Sequence, residues 1–128
     1  MASKLDFDGV RLPVDGAEAV AVMTGILTGL GCDERVADAI AEHLADASLC
    51  GVESHGVMRI LQYARQFRCG YMLAGGEARV TKRDGQFLTV NGGGGHGIPA
   101  MQLAFDTAIE AAADTGMSTT AITNLGHT

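Results

Sequence analysis

The chain has 128 residues, 47% of them hydrophobic, with 9 Lys+Arg against 15 Asp+Glu and a formal net charge of -6. That length predicts one domain, or one and part of a second, and the composition is globular rather than disordered. The acidic balance argues against nucleic acid and against an anionic membrane surface, whose phosphates would repel it.

In chain order, residues 1–10 mix Lys4 with Asp6 and Asp8 and lack the apolar core of a signal peptide. Asp15, three residues before Glu18, predicts a capped helix start. Residues 17–30 are apolar nearly all round, which predicts a buried helix closed by Gly29 and Gly31. That run is too short, and too broken by Thr24, Gly25 and Thr28, to span a bilayer. A second helix starts at Asp33, buries Val36, Ile40, Leu44 and Ala47, and stops at Gly51. Ser54 is the N-cap candidate for a third helix reaching Phe67.

After Gly75-Gly76 the texture changes. Residues 77–83 and 86–91 flank Asp84-Gly85 and predict a β-hairpin. A glycine-rich turn over 91–97 leads into a fourth helix. Its apolar stripe is Ile98, Met101, Phe105, Ala108, Ile109 and Ala112, with Pro99 in its first turn and Gly116 at its end. Residues 118–123 predict a buried strand. The fold class is therefore α/β (α+β): a three-helix region followed by a hairpin-helix-strand segment, divided as residues 1–74 and 75–128.

Cys32, Cys50 and Cys69 form no C-x-x-C pair and predict reduced thiols in a cytosolic protein. His43, His55, His96 and His127 show no ligand spacing, so no metal is expected. Gly92, Gly94 and Gly97 satisfy G-x-G-x-x-G, the dinucleotide fingerprint. Three features argue against it: the preceding strand reads as a hairpin arm rather than the start of a βαβ unit, Asp114 falls in a helix rather than at a strand end, and four consecutive glycines match the pattern almost by default. A tight turn for close strand–helix packing is the preferred reading. His96, within that run, either lines a cleft or is an exposed loop residue.

The most informative stretch is residues 54–63. On a helical wheel with His55 at zero, Arg59 falls at about 40° and Tyr63 at about 80°. Val57, Ile60, Leu61, Ala64 and Phe67 take the opposite, buried side. Arginine can grip a small carboxylate bidentately, and imidazole and phenol supply a titratable proton and a neutral donor. An ordinary solvated face, shared with Gln62 and Gln66, is the alternative. Gly56 in a first turn costs up to about 1 kcal/mol against alanine, and makes sense if something approaches the backbone there.

Ser54-His55-Gly56-x-x-Arg59-x-x-x-Tyr63 after Gly51-x-Glu53, with the hairpin, the glycine turn and a closing Asn124-x-x-His127-Thr128, resembles the amino-terminal part of the type 2 malate/L-lactate dehydrogenase family. The resemblance runs from Val10 to Thr128. It implies a non-Rossmann fold and a cytoplasmic homodimeric oxidoreductase. It further implies hydride transfer between NAD or NADP and a small 2-hydroxy/2-oxo acid such as malate or lactate, or reduction of a cyclic imino acid. By the same resemblance Ser54, His55, Arg59 and Tyr63 are substrate-binding, with His55 and His127 catalytic and His127 the acid/base. Asn124 and His127 stand at the cofactor, Asn124 shaping the loop. His96 departs from the family pattern. The family continues beyond the position of Thr128, so the expectation is an amino-terminal part, truncated or completed by another chain. The rival expectation is a non-catalytic small-carboxylate-binding or subunit-interaction module lacking the cofactor half. A third reading assigns the apolar first helices to dimer packing.

Overall fold

The computed structural model describes residues 12–127; the readings of residues 1–10 and of Thr128 lie outside them. Helix α1 spans Gly16–Gly29, and the Asp15 carboxylate accepts from the amides of Ala17 and Glu18 at 2.9 and 3.1 Å. The side chain thus satisfies two otherwise orphaned donors. The helix is not buried all round. Met23 and Leu27, one turn apart, go inside, while Val22 and Ile26 are exposed. The reason is that α1 packs chiefly on one neighbour, α2 (Glu34–Leu49), which covers a single face.

Asp33 caps α2 through the Arg35 amide at 3.0 Å, and Ala37, Ile40, Ala41, Leu44 and Ala45 face the core. The Thr24 hydroxyl donates to the Asp38 carboxylate at 2.8 Å and ties α1 to α2. Gly51 follows the helix at φ +77°. With Ile60, Tyr63 and Met72 these residues form one apolar cluster.

The third helix is shorter than the sequence predicts. Residues Glu53–His55 make a 3₁₀ turn, and α3 starts only at Arg59, running to Arg68. Ser48 on α2 is the cause. Its hydroxyl accepts from the Val57 amide at 2.9 Å, and a Cβ on Gly56 would overlap that oxygen. The close approach that Gly56 hinted at comes from α2. With the helix interrupted, His55 leaves the wheel shared by Arg59 and Tyr63. Leu61, expected inside, is 66% exposed, and Tyr63, expected outside, is 2% exposed.

Strands β1 (Arg79–Asp84) and β2 (Phe87–Asn91) form the expected antiparallel hairpin, turning at Gly85-Gln86 with Gly85 at φ +54°. Helix α4 (Gly97–Thr115) then crosses to β3 (Thr119–Thr123), which pairs parallel to β2, giving the order β1-β2-β3. The strand before the glycine run is therefore both a hairpin arm and the first strand of a βαβ unit. This removes one argument used against the dinucleotide fingerprint. α4 buries Ala100, Ala104, Thr107 and Ala111 instead of its predicted stripe, leaving Phe105 and Ile109 exposed. Small residues let it lie close to the sheet, over the face that carries Leu88 and Val90. β3 is an edge strand, with Thr119, Ala121 and Thr123 exposed and Thr120 and Ile122 half-buried, so it is not the buried strand expected.

Candidate functional site

The break before α3 presents Ser54 and His55 on an exposed turn at the head of the helix that carries Arg59. The Ser54 hydroxyl and His55 Nδ1 are 2.9 Å apart. Arg59 Nε donates to the Ser54 carbonyl at 2.6 Å, and an Nη donates to Gln62 Oε1. The guanidinium is aimed by neutral acceptors, and among the described residues no carboxylate pairs with it. A guanidinium braced in this way can receive an incoming carboxylate.

The second half of the site comes from the loop 124–127. It is fastened to the glycine run by hydrogen bonds that prolong the β2–β3 ladder: Gly92 N to Thr123 O, Gly94 N to Asn124 O and Gly126 N to Gly95 O, each 2.8 Å, then Gly97 N to His127 O at 3.1 Å. Asn124 takes φ +53°, a conformation asparagine tolerates better than most residues. Its amide donates to Asn91 Oδ1 at 3.0 Å. The glycines are needed because the chain's own backbone fills the space. A Cβ on Gly92 would stand 2.7 Å from the Leu125 Cβ, and one on Gly93, itself at φ +65°, would overlap the Glu77 carbonyl. The run cradles a loop of the protein.

That loop and α3 meet at Tyr63. The phenol oxygen lies 3.1 Å from Nδ1 of His127, and the His127 ring is 6.2 Å from that of His55. Burial lowers the His127 pKa below 6.5, helped by the positive charge of Arg59 and by His55. Burial raises the Tyr63 pKa, partly offset by Arg59. At neutral pH the site therefore holds a neutral imidazole beside a protonated phenol.

The structure thus brings together Ser54, His55, Arg59, Tyr63 and His127, with Asn124 at the root of the loop. Sequence reasoning missed His96. It is neither cleft-lining nor exposed: at 4% exposure it caps α4, Nδ1 accepting from the Ile98 amide at 3.2 Å. Its ring stands edge-on to Tyr63 with centroids 4.3 Å apart. Burial, then His127 and His43, lower its pKa to about 4. Its place immediately before Gly97-Ile98-Pro99, a helix start, was the available signal.

A dinucleotide pyrophosphate does not fit the glycine run, since its space is taken by residues 76–77 and 124–126 and the first α4 amides are already bonded. Asn124 Oδ1 and His127 Nε2 have no hydrogen-bond partner among the described residues, and an amide oxygen can accept from the carboxamide of a nicotinamide-type ring. Among the described residues no group of three or more His, Cys, Asp or Glu could hold a metal ion, and no helix is long and apolar enough to cross a membrane. Cys32, Cys50 and Cys69 are free thiols. A groove of about 1120 Å³ between α1, α2 and α4, lined by Val20, His43, Leu49, Ile98, Met101 and Phe105, includes none of the site residues.

The sequence matches the malate/L-lactate dehydrogenase family over residues 14–128. It is 31% identical over 123 residues to a malate dehydrogenase of Pyrococcus abyssi (strain GE5 / Orsay), covering 96% of this chain and 33% of that protein. It is 30% identical over 110 residues to an L-sulfolactate dehydrogenase of Methanothermobacter thermautotrophicus, covering 86% and 32%. The solved malate dehydrogenase of Pyrococcus horikoshii OT3 superposes with a TM-score of 0.84 at 28% identity, over 98% of this chain and 36% of that one. The chain spans about a third of the length of the curated relatives it matches.

Proposed function

The chain belongs to the malate/L-lactate dehydrogenase family, and from that premise we propose that it is an oxidoreductase, or the amino-terminal part of one, acting on a small 2-hydroxy/2-oxo acid with NAD or NADP. The observation that carries this reading is the meeting of a guanidinium braced by neutral acceptors with two imidazoles and a phenol drawn from α3, its preceding turn and the 124–127 loop. Arg59 grips the substrate carboxylate, and Ser54 and His55 orient the neighbouring oxygen. Tyr63 supports both groups. In the oxidation direction the hydroxyl O–H breaks and its proton passes to His127, neutral at pH 7 for the reasons given above. In reduction the protonated His127 returns it. When bound, the nicotinamide supplies the hydride chemistry, and Asn124 and His127 are the residues of this chain that would border its ring.

In this reading residues 1–74 form the helical substrate-binding part and residues 75–128 begin a mixed α/β cofactor part. The working protein is a cytoplasmic homodimer whose remaining sequence, in cis or from a complementing chain, holds the rest of the cofactor.

One observation favours a second reading. The glycine run is filled by the chain itself, leaving no pyrophosphate cradle among the described residues. A non-catalytic carboxylate-binding or subunit-interaction module would share the Arg59 face and lack the cofactor half. Titrating NADH and NADPH against the purified chain, followed by a panel of 2-oxo acids, separates the two. Cofactor binding with oxidation supports the dehydrogenase. Carboxylate binding without any cofactor response supports the module.

A further inference from the structure

We propose that His96 is a positioning residue for His127: fixed by the Ile98 amide, it braces the Tyr63 phenol, whose hydroxyl occupies Nδ1 of His127 and leaves Nε2 to exchange the substrate's proton. This rests on the dehydrogenase reading above, which assigns His127 the proton but no role to His96.

The chain of contacts is short. The Ile98 amide donates to His96 Nδ1 at 3.2 Å, so the proton of the neutral ring sits on Nε2. That nitrogen is buried without a hydrogen-bond partner. The ring is held between the head of α4 and the Tyr63 ring, 4.3 Å away at an interplanar angle of 74°, an edge-to-face arrangement that fixes the phenol's tilt. Tyr63, 2% exposed, has no freedom to turn away, and its hydroxyl is within 3.1 Å of His127 Nδ1. The residue after His96 holds the other end of the same histidine, through the Gly97 amide and the His127 carbonyl at 3.1 Å. One dipeptide thus anchors the main chain of His127 directly and its ring through Tyr63. For Nε2 to take the substrate's proton the neutral ring must carry its own on Nδ1, and the Tyr63 oxygen accepts from that N–H whether the imidazole is neutral or protonated.

Among the described residues, the charged and titratable groups facing this arrangement are Arg59 and Tyr63 on α3, His55 on the preceding turn and His43 on α2. Among them only the Tyr63 oxygen is within hydrogen-bond distance of a His127 nitrogen.

The test is a long-range ¹H–¹⁵N correlation of the imidazole nitrogens in the labelled chain, in wild type, Tyr63→Phe and His96→Asn. Asparagine preserves the helix cap while removing the ring. Wild type is expected to show neutral His127 protonated on Nδ1 alone. Tyr63→Phe moves its two nitrogen shifts towards their mean, and His96→Asn moves them the same way with the amide spectrum still dispersed. Asp15→Ala, which loosens the distant cap of α1, leaves them unmoved. His127 shifts in His96→Asn equal to wild type overturn the proposal. Should His96→Asn lose its dispersed spectrum, the wild type decides. His96 protonated on Nε2 alone between pH 5 and 8, with neutral His127 protonated on Nδ1 alone, supports the proposal, and the opposite His96 tautomer, a mixed His127 or a His127 protonated on Nε2 overturns it. None of these readouts requires substrate. Failure of the dehydrogenase reading shows separately, as absence of 2-oxo acid binding by a chain whose imidazole signals are as expected.

Discussion

The Tyr63 hydroxyl and Nδ1 of His127 lie 3.1 Å apart although 64 positions separate them in the chain. One is fixed by the helical core, the other by a loop zipped to the glycine run. This contact joins the face that offers a guanidinium to the group that can take a proton.

Arg59 is expected to supply most of the grip on a 2-oxo acid. A charge-assisted pair is worth about 1.5–3 kcal/mol, so Arg59→Ala should weaken binding roughly 10- to 100-fold, with KM affected more than kcat. Arg59→Lys should recover only part of it, since an ammonium cannot reproduce the bidentate fork. Calorimetric titration with pyruvate or oxaloacetate checks both. An unchanged Kd in Arg59→Ala would remove the residue from the site.

Acid should destabilise the protein through His96. Its pKa falls from 6.5 free to about 4 in the fold, so the unfolded chain takes up the proton first as pH drops. Stability is complete above pH 6.5 and declines towards pH 4, by about 3 kcal/mol from this residue. Urea unfolding across that window should show the decline in wild type and a shallower one in His96→Asn.

His127 is held below 6.5 by burial, Arg59 and His55, in that order. Any oxidation activity should therefore persist below pH 6.5 before falling. Arg59→Gln removes a positive charge and should raise the His127 midpoint, read by NMR titration even where no turnover occurs.

The glycines differ in kind. Gly93→Ala places a Cβ against the Glu77 carbonyl at φ +65° and should cost about 2 kcal/mol or more. Gly25→Ala meets nothing within 4 Å on exposed α1 and should stabilise by up to about 1 kcal/mol. If the run instead served a phosphate, Gly93→Ala would spare stability and weaken cofactor binding. Thermal unfolding distinguishes the outcomes.

Both helix starts at Asp15 and Asp33, the hairpin, the stop at Gly116 and the element order were legible, because capping and turn chemistry act over a few residues. The failures share a cause. The end of α2 decides where α3 begins, through Ser48, and no local pattern around Gly56 names that partner. α4 buries its small side, leaving Phe105 and Ile109 outside, because contact distance to the sheet overrode hydrophobicity. The pairing of β3 with β2, and hence the seat of His127 beside Tyr63, follows from a crossover that local periodicity does not encode. Ser54, His55, Arg59, Tyr63 and His127 were named by motif and chemistry. Their meeting was visible only in three dimensions.

The central claim is that these groups receive a small organic acid. The most direct measurement is a titration of the ¹⁵N-labelled chain with oxaloacetate, following all four histidine rings. Saturable shifts at His55 and His127, larger than any at His43, which lines the groove between α1, α2 and α4, are the predicted result. Flat titrations at millimolar acid, or a saturable shift at His43 alone, would contradict the account.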